Sequence, residues 1–158
     1  MKYKFGVIGD PIEHSLSPKI HNIFSKQTKI NIDYQAYHVQ ENNLDSFIRD
    51  FFRNEGDGLN VTLPHKINCL RSVNNKSSLV NLIGAANTLH SNGPGEIFAE
   101  STDGLGLVED LKDKCVISSA NILILGAGGS ALSIIPSLDA CKPRNIILDN
   151  RSKDNLEK

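Results

Sequence analysis

No apolar run in this chain approaches the ~20 residues that a membrane-spanning helix needs. Charge of one sign is also missing: 17 basic residues stand against 18 acidic ones. Nothing therefore points to nucleic acid or to an anionic membrane surface. Cysteine is scarce and odd in number. Cys69, Cys115 and Cys141 are scattered without metal-ligand spacing, so reduced thiols in a cytoplasmic protein are expected. The histidines, His14, His21, His38, His65 and His90, show no zinc-like spacing either. Met1-Lys-Tyr-Lys-Phe5 runs straight into a strand pattern and lacks the apolar core of a signal peptide. There is no internal repeat and no low-complexity tract.

What is present is an alternation of strands and helices. At 158 residues the chain has room for one or two small domains. Phe5–Ile8, Tyr34–Val39, Gly58–Val61 and Ala86–Leu89 read as strands. Leu44, Phe47, Ile48, Phe51 and Phe52 recur at spacings of three and four. That spacing is an amphipathic helix with Arg49, Asp50 and Arg53 on its wet face, and the aromatic stripe is expected in the core. Ser91-Asn-Gly-Pro-Gly95 is a turn linking Ala86–His90 to Ile97–Ala99 as a hairpin. A helix from about 105 to 112 follows. This alternation predicts an α/β layer architecture.

A second unit opens near Ser118. Asn121–Leu125 is a continuous apolar run, as expected of a strand covered on both faces. A glycine loop, a helix from about 130 to 140 and a second such strand, Asn145–Asp149, come next. The expected division is a first domain over 1–117 and the first βαβ unit of a Rossmann-type domain over 118–158. A complete doubly wound dinucleotide domain has about six strands; two are visible here. The open edge after Asp149 invites pairing with another chain, which makes a homodimer one expectation.

The loop Gly126-Ala127-Gly128-Gly129-Ser130-Ala131 fits G-x-G-x-x-A between a strand and a helix. That context supports a dinucleotide fingerprint. Gly126 permits the tight turn, Gly128 lets the backbone approach a pyrophosphate, and Ala131 keeps the helix close to the strand. Asp149, at the end of the second strand, favours a free ribose hydroxyl and hence NAD. Asn150-Arg151-Ser152-Lys153 follows at once, and an arginine there suits a 2′-phosphate and hence NADP.

Near the N-terminus lies Gly9-Asp-Pro-Ile-Glu-His-Ser15-Leu-Ser17-Pro18. If that stretch is strand-like, Ser15 and Ser17 project to one side beside a helix start, a cradle for a small carboxylate. The same residues also read as turn chemistry, with Ser17 capping the helix that Pro18 begins. Further on come Asn60-Val-Thr62-Leu-Pro-His-Lys66, Gly84-Ala-Ala-Asn87-Thr88 and Ser101-Thr-Asp103-Gly104. Lys66 and Asp103, 37 positions apart, are each an ordinary surface charge unless the fold unites them. Together they would suit proton transfer to and from a reacting oxygen. Asn60, Thr62 and Asn87 offer neutral partners to ligand hydroxyls, or serve local turns.

In this order the five blocks resemble the shikimate dehydrogenase family, from Phe5 to about Ser152. The resemblance implies NADPH-dependent reduction of 3-dehydroshikimate to shikimate, within chorismate and aromatic amino acid biosynthesis. It implies that Lys66 donates and accepts the proton and that Asp103 is its partner and a substrate ligand. Ser15 and Ser17 match carboxylate-binding hydroxyls, Thr62 and Asn87 match substrate ligands, and Asn60 lies close by. An Asn-Arg pair like Asn150-Arg151 opens the family's NADP-binding stretch. Two departures stand out: Asn155 replaces a second arginine, and Ser78 replaces an acid. Family members are longer, so a C-terminally shortened chain or a reduced relative is expected. An NAD-linked quinate/shikimate dehydrogenase is the alternative within the class. A fragment that only binds ligand is the alternative outside it.

Overall fold

A computed structural model describes residues 1–93 and 95–151. The chain runs β1 (Tyr3–Gly9), α1 (Ser17–Thr28), β2 (Ile32–His38), α2 (Leu44–Arg53) and β3 (Gly58–Val61). It continues with β4 (Asn75–Lys76), α3 (Ser78–Ile83), β5 (Thr88–Ser91), β6 (Ile97–Glu100) and α4 (Asp103–Lys112). It ends with β7 (Asn121–Leu125), α5 (Gly129–Asp139) and β8 (Asn145–Asp149).

The first six strands form one sheet in the order β2-β1-β3-β5-β6-β4. β1 pairs parallel with β2 and β3, whereas β5 runs antiparallel to β3 and β6. The α/β architecture expected from the alternation is present, as a mixed sheet. Its core joins Ile8, Leu59, Val61 and Leu89 to the apolar face of α2, where Leu44, Ile48 and Phe51 are buried. The spacing of three and four thus does what it promised.

Other expectations are corrected. Ser15 and Ser17 do not share a strand: Ser17 is the first residue of α1. Nor does Ser17 cap that helix, because the capping position falls to Leu16, which makes no side-chain cap. Instead Ser15 Oγ accepts the Ser17 N–H at 3.3 Å. The strand expected over Ala86–Leu89 lies at Thr88–Ser91, and the Ala86 N–H goes to the Lys66 carbonyl at 2.8 Å, not to a neighbouring strand. α3 was not foreseen; Ser77 Oγ caps it by accepting from Val80 N at 3.2 Å, and Gly84, at φ +68°, ends it.

β7 and β8 form a separate parallel pair. Ile124, Ala131 and Leu138 form a second core there, and Leu107, Val108 and Leu111 of α4 pack into it. β7 is not covered on both faces among the described residues. Leu123 is 59% exposed and Leu125 76%. α4 is joined to α5 closely at Gly104, where a Cβ would meet the Ser137 side chain and stand 2.7 Å from the Ser133 carbonyl oxygen. This crossing sets where Asp103, the first residue of α4, is presented.

Candidate functional site

Lys66 lies in the turn after β3. That turn is anchored from below. His65 is fully buried, and its Nε2–H donates to the Val39 carbonyl at 2.6 Å. Its Nδ1 is buried without a hydrogen-bond partner among the described residues. From this anchor Lys66 Nζ reaches Asp103 Oδ2 at 2.6 Å, with the two side chains 10% and 25% exposed. Nζ also donates to Ser130 Oγ at 3.3 Å. The expected pair is therefore assembled across 37 positions, and it sits against the glycine loop. Gly129 makes room for this: a Cβ there would stand 3.1 Å from Lys66 Cβ.

Asn87 holds the other oxygen of the carboxylate. Its Nδ2 donates to Asp103 Oδ1 at 2.7 Å, and its Oδ1 accepts from Thr102 N at 3.0 Å and from Thr88 Oγ1 at 3.0 Å. Asn60 joins through Nδ2, which donates to the Asn87 carbonyl at 3.5 Å and Thr88 Oγ1 at 3.4 Å. Its Oδ1 accepts the Tyr34 hydroxyl proton at 2.7 Å. Burial pushes the Tyr34 phenol up to about 12, with the Ser17 hydroxyl beside it pulling the other way. Ser17 is linked to Tyr34 by His21, whose ring stacks on Tyr34 at 3.9 Å and whose Nδ1–H donates to the Ser17 carbonyl at 2.9 Å. Thr62 is half-buried and turns its methyl toward Gly9, where an added Cβ would stand 2.7 Å from Cγ2.

Lys66, Asp103 and Ser130, with Leu107 and Ile134, line a cleft of about 400 Å³. Its polar end has a paired ammonium and carboxylate and its other wall is apolar. Such a site suits a hydroxylated ligand that exchanges a proton. Next to it, Gly126 takes φ +112°, and at neither Gly126 nor Gly128 would a Cβ touch anything within 4 Å. No side chain screens the loop backbone at these two glycines, and α5 starts at Gly129, where the first-turn N–H groups have no partner within the helix. Gly126 N donates to the Asp149 carbonyl at 2.7 Å, so the end of β8 lies beside the loop. Asn150 is half-buried there and Arg151 exposed. Ser152 and Lys153 lie outside the described residues. A pyrophosphate on the loop, with a ribose at the end of β8, fits this arrangement.

Sequence reasoning missed Thr102, Thr88 and Tyr34. Thr102 and Thr88 stand inside blocks already singled out. Tyr34 carried no local signal, since a lone tyrosine in a strand reads as core.

The class is thus an α/β protein: a mixed-sheet domain, followed by a Rossmann-type β–α–β unit. Residues 7–89 match the family model for the shikimate dehydrogenase substrate binding domain, and the chain belongs to the shikimate dehydrogenase family. It is 42% identical over 153 residues to the shikimate dehydrogenase (NADP(+)) of Idiomarina loihiensis, a match that covers 96% of this chain and 55% of that relative. The chain therefore spans about half the length of such relatives. The crystal structure of shikimate dehydrogenase from Aquifex aeolicus superposes with a TM-score of 0.91 at 30% identity, covering 99% of this chain and 58% of that one. That of Thermus thermophilus shikimate 5-dehydrogenase in complex with NADP(H) and shikimate gives 0.88 at 28%, covering 97% and 57%.

Proposed function

We propose that this chain carries the substrate site and the cofactor loop of an NADP-dependent shikimate dehydrogenase, which reduces 3-dehydroshikimate to shikimate for chorismate and aromatic amino acid biosynthesis. The observation that carries the proposal is the contact of Lys66 Nζ with both Asp103 and Ser130, at 2.6 and 3.3 Å. One residue joins a proton-handling pair to the first turn of the loop helix. NADPH, when bound, supplies the hydride. Lys66 protonates the developing alkoxide oxygen, and in reverse removes that proton. Asp103 aims Lys66 through the 2.6 Å contact, and accepts from a ring hydroxyl. Asn60, Thr62 and Asn87 partner the other hydroxyls. Ser15 and Ser17 receive the carboxylate. The backbone of Gly126, Ala127, Gly128, Gly129 and Ser130 cradles the pyrophosphate. Asn150, Arg151, Ser152 and Lys153 form the 2′-phosphate side.

In this reading the substrate domain spans 1–117 and the cofactor unit 118–158. The enzyme is cytoplasmic, and two copies associate as a homodimer. Among the described residues no helix is long and apolar enough to cross a membrane.

Asp149, next to the Gly126 turn, favours a second reading, in which NAD is the cofactor and quinate an additional substrate. The test is to mix the chain with shikimate or quinate and NADP or NAD, following reduced-cofactor absorbance, with calorimetry for binding. NADP-dependent turnover of shikimate supports the first reading, and turnover with NAD the second. Shikimate binding without turnover assigns the chain a ligand-binding role alone. No binding overturns all three.

A further inference from the structure

We propose that Ser130 is a positioning residue for Lys66, which holds the ammonium so that its one unclaimed N–H meets the reacting oxygen of the substrate. The proposal rests on the reading that Lys66 handles the proton. An ammonium has three N–H donors. One of those on Lys66 goes to Asp103 Oδ2 at 2.6 Å and a second to Ser130 Oγ at 3.3 Å. The third is left for a ligand in the cleft that all three residues line.

The base of the Lys66 side chain is fixed as well. The Lys66 carbonyl accepts from Ala86 N at 2.8 Å and from Cys69 Sγ at 3.4 Å. Gly129 lies against the stem, since a Cβ there would stand 3.1 Å from Lys66 Cβ. Between this base and the ammonium runs a flexible carbon stem, which lets the head pivot about a single partner. Asp103 alone would permit that pivot. Ser130, 64 positions further along the chain, supplies a second point and stops it.

The fold has no other use for this hydroxyl. Ser130 is exposed in the first turn of α5, where Gly128 takes the capping position and no side chain caps the helix. Among the described residues the Ser130 hydroxyl makes no other hydrogen bond. Alanine would serve the helix as well or better. Two anchors matter in both directions of the reaction. Giving its third proton to the alkoxide leaves Lys66 a neutral amine. The two remaining N–H groups stay on Asp103 and Ser130, and the lone pair points where the proton went, ready to take it back.

The test compares shikimate with 3-deoxyshikimate, which lacks the reacting hydroxyl, by calorimetry on the chain and two variants. The chain is expected to prefer shikimate by about fivefold, the worth of one hydrogen bond. In Ser130→Ala that preference should fall below about twofold, with 3-deoxyshikimate affinity and melting temperature unchanged. Ser130→Thr keeps the hydroxyl and should restore the preference. A preference that survives in Ser130→Ala overturns the proposal. So does an equal loss of affinity for both compounds, which a purely structural change would give, and so does a threonine variant that behaves as alanine. Absence of any preference in the unmodified chain also overturns it, because no N–H then meets that hydroxyl. If the unmodified chain binds neither compound, the reading of the substrate site is overturned, and the role of Ser130 with it.

Discussion

Gly104 lies against Ser137 so closely that no side chain fits between α4 and α5: a Cβ would run into Ser137 and stand 2.7 Å from the Ser133 carbonyl oxygen. Backbone is on one side of this contact, so the strain has no flexible outlet. Gly104→Val is expected to cost about 1–3 kcal/mol through overpacking and to lower the urea midpoint. It also displaces Asp103, so shikimate affinity should fall together with stability. An unchanged midpoint would show that the helices part freely.

Lys66→Met keeps the stem and removes the ammonium. Turnover by the assembled enzyme is expected to fall by about 10²–10⁴-fold, the range of a lost general acid–base. Calorimetric affinity for shikimate should change far less, since Asn60, Asn87 and the serines remain. Full turnover by this variant would remove Lys66 from the chemistry.

Gly128 separates folding from cofactor binding. A Cβ there meets nothing within 4 Å, and its φ of −87° suits any residue. Gly128→Ala should therefore leave the melting temperature unchanged. The same methyl enters the space assigned to the pyrophosphate, so NADP binding, read by calorimetry, should be lost. Retained NADP affinity would move the cofactor off this loop.

Alkaline stability follows from two buried acids. Burial pushes the Cys69 thiol from 9.0 up to about 12, and the Tyr34 phenol from 10.0 up to about 12. Both shifts favour the protonated form. Their stabilisation is complete below pH 9, where both states hold the protons. Above that, the unfolded chain loses them first, the folded chain binds more protons, and stability falls as pH rises toward 12. Urea midpoints from pH 7 to 10.5 should be level and then decline. Tyr34→Phe and Cys69→Ala should each flatten the decline. A midpoint that holds level to pH 10.5 would contradict this account.

Local pattern carried much of the fold. Gly58–Val61, Asn121–Leu125 and Asn145–Asp149 occur at the bounds read from their apolar runs. α2 declares itself because five apolar residues share one face. α3 is only six residues long, too short for a period. Its signals, Ser77 as cap and Gly84 as stop, flank it without an amphipathic stripe between them. The four apolar residues of β7, Ile122, Leu123, Ile124 and Leu125, suggested burial on two faces, because a run records hydrophobicity and not what lies opposite. At the site, Lys66 and Asp103 were reached through family likeness. A contact spanning 37 positions leaves no local trace. The 3.3 Å link from Lys66 to Ser130 spans 64 positions and was not foreseen for the same reason.

The position of α4 has a mechanical consequence. Its apolar side packs into the β7–α5 core, while Asp103 at its start is bonded to Lys66 and Asn87 of the other core. Asp103 is therefore a joint as well as a charge. Any rotation of one core against the other must pull on the bond that aims Lys66. Opening the cleft would slacken the proton pair and closing it would tighten it, so chemical competence would be tied to closure without a separate trigger.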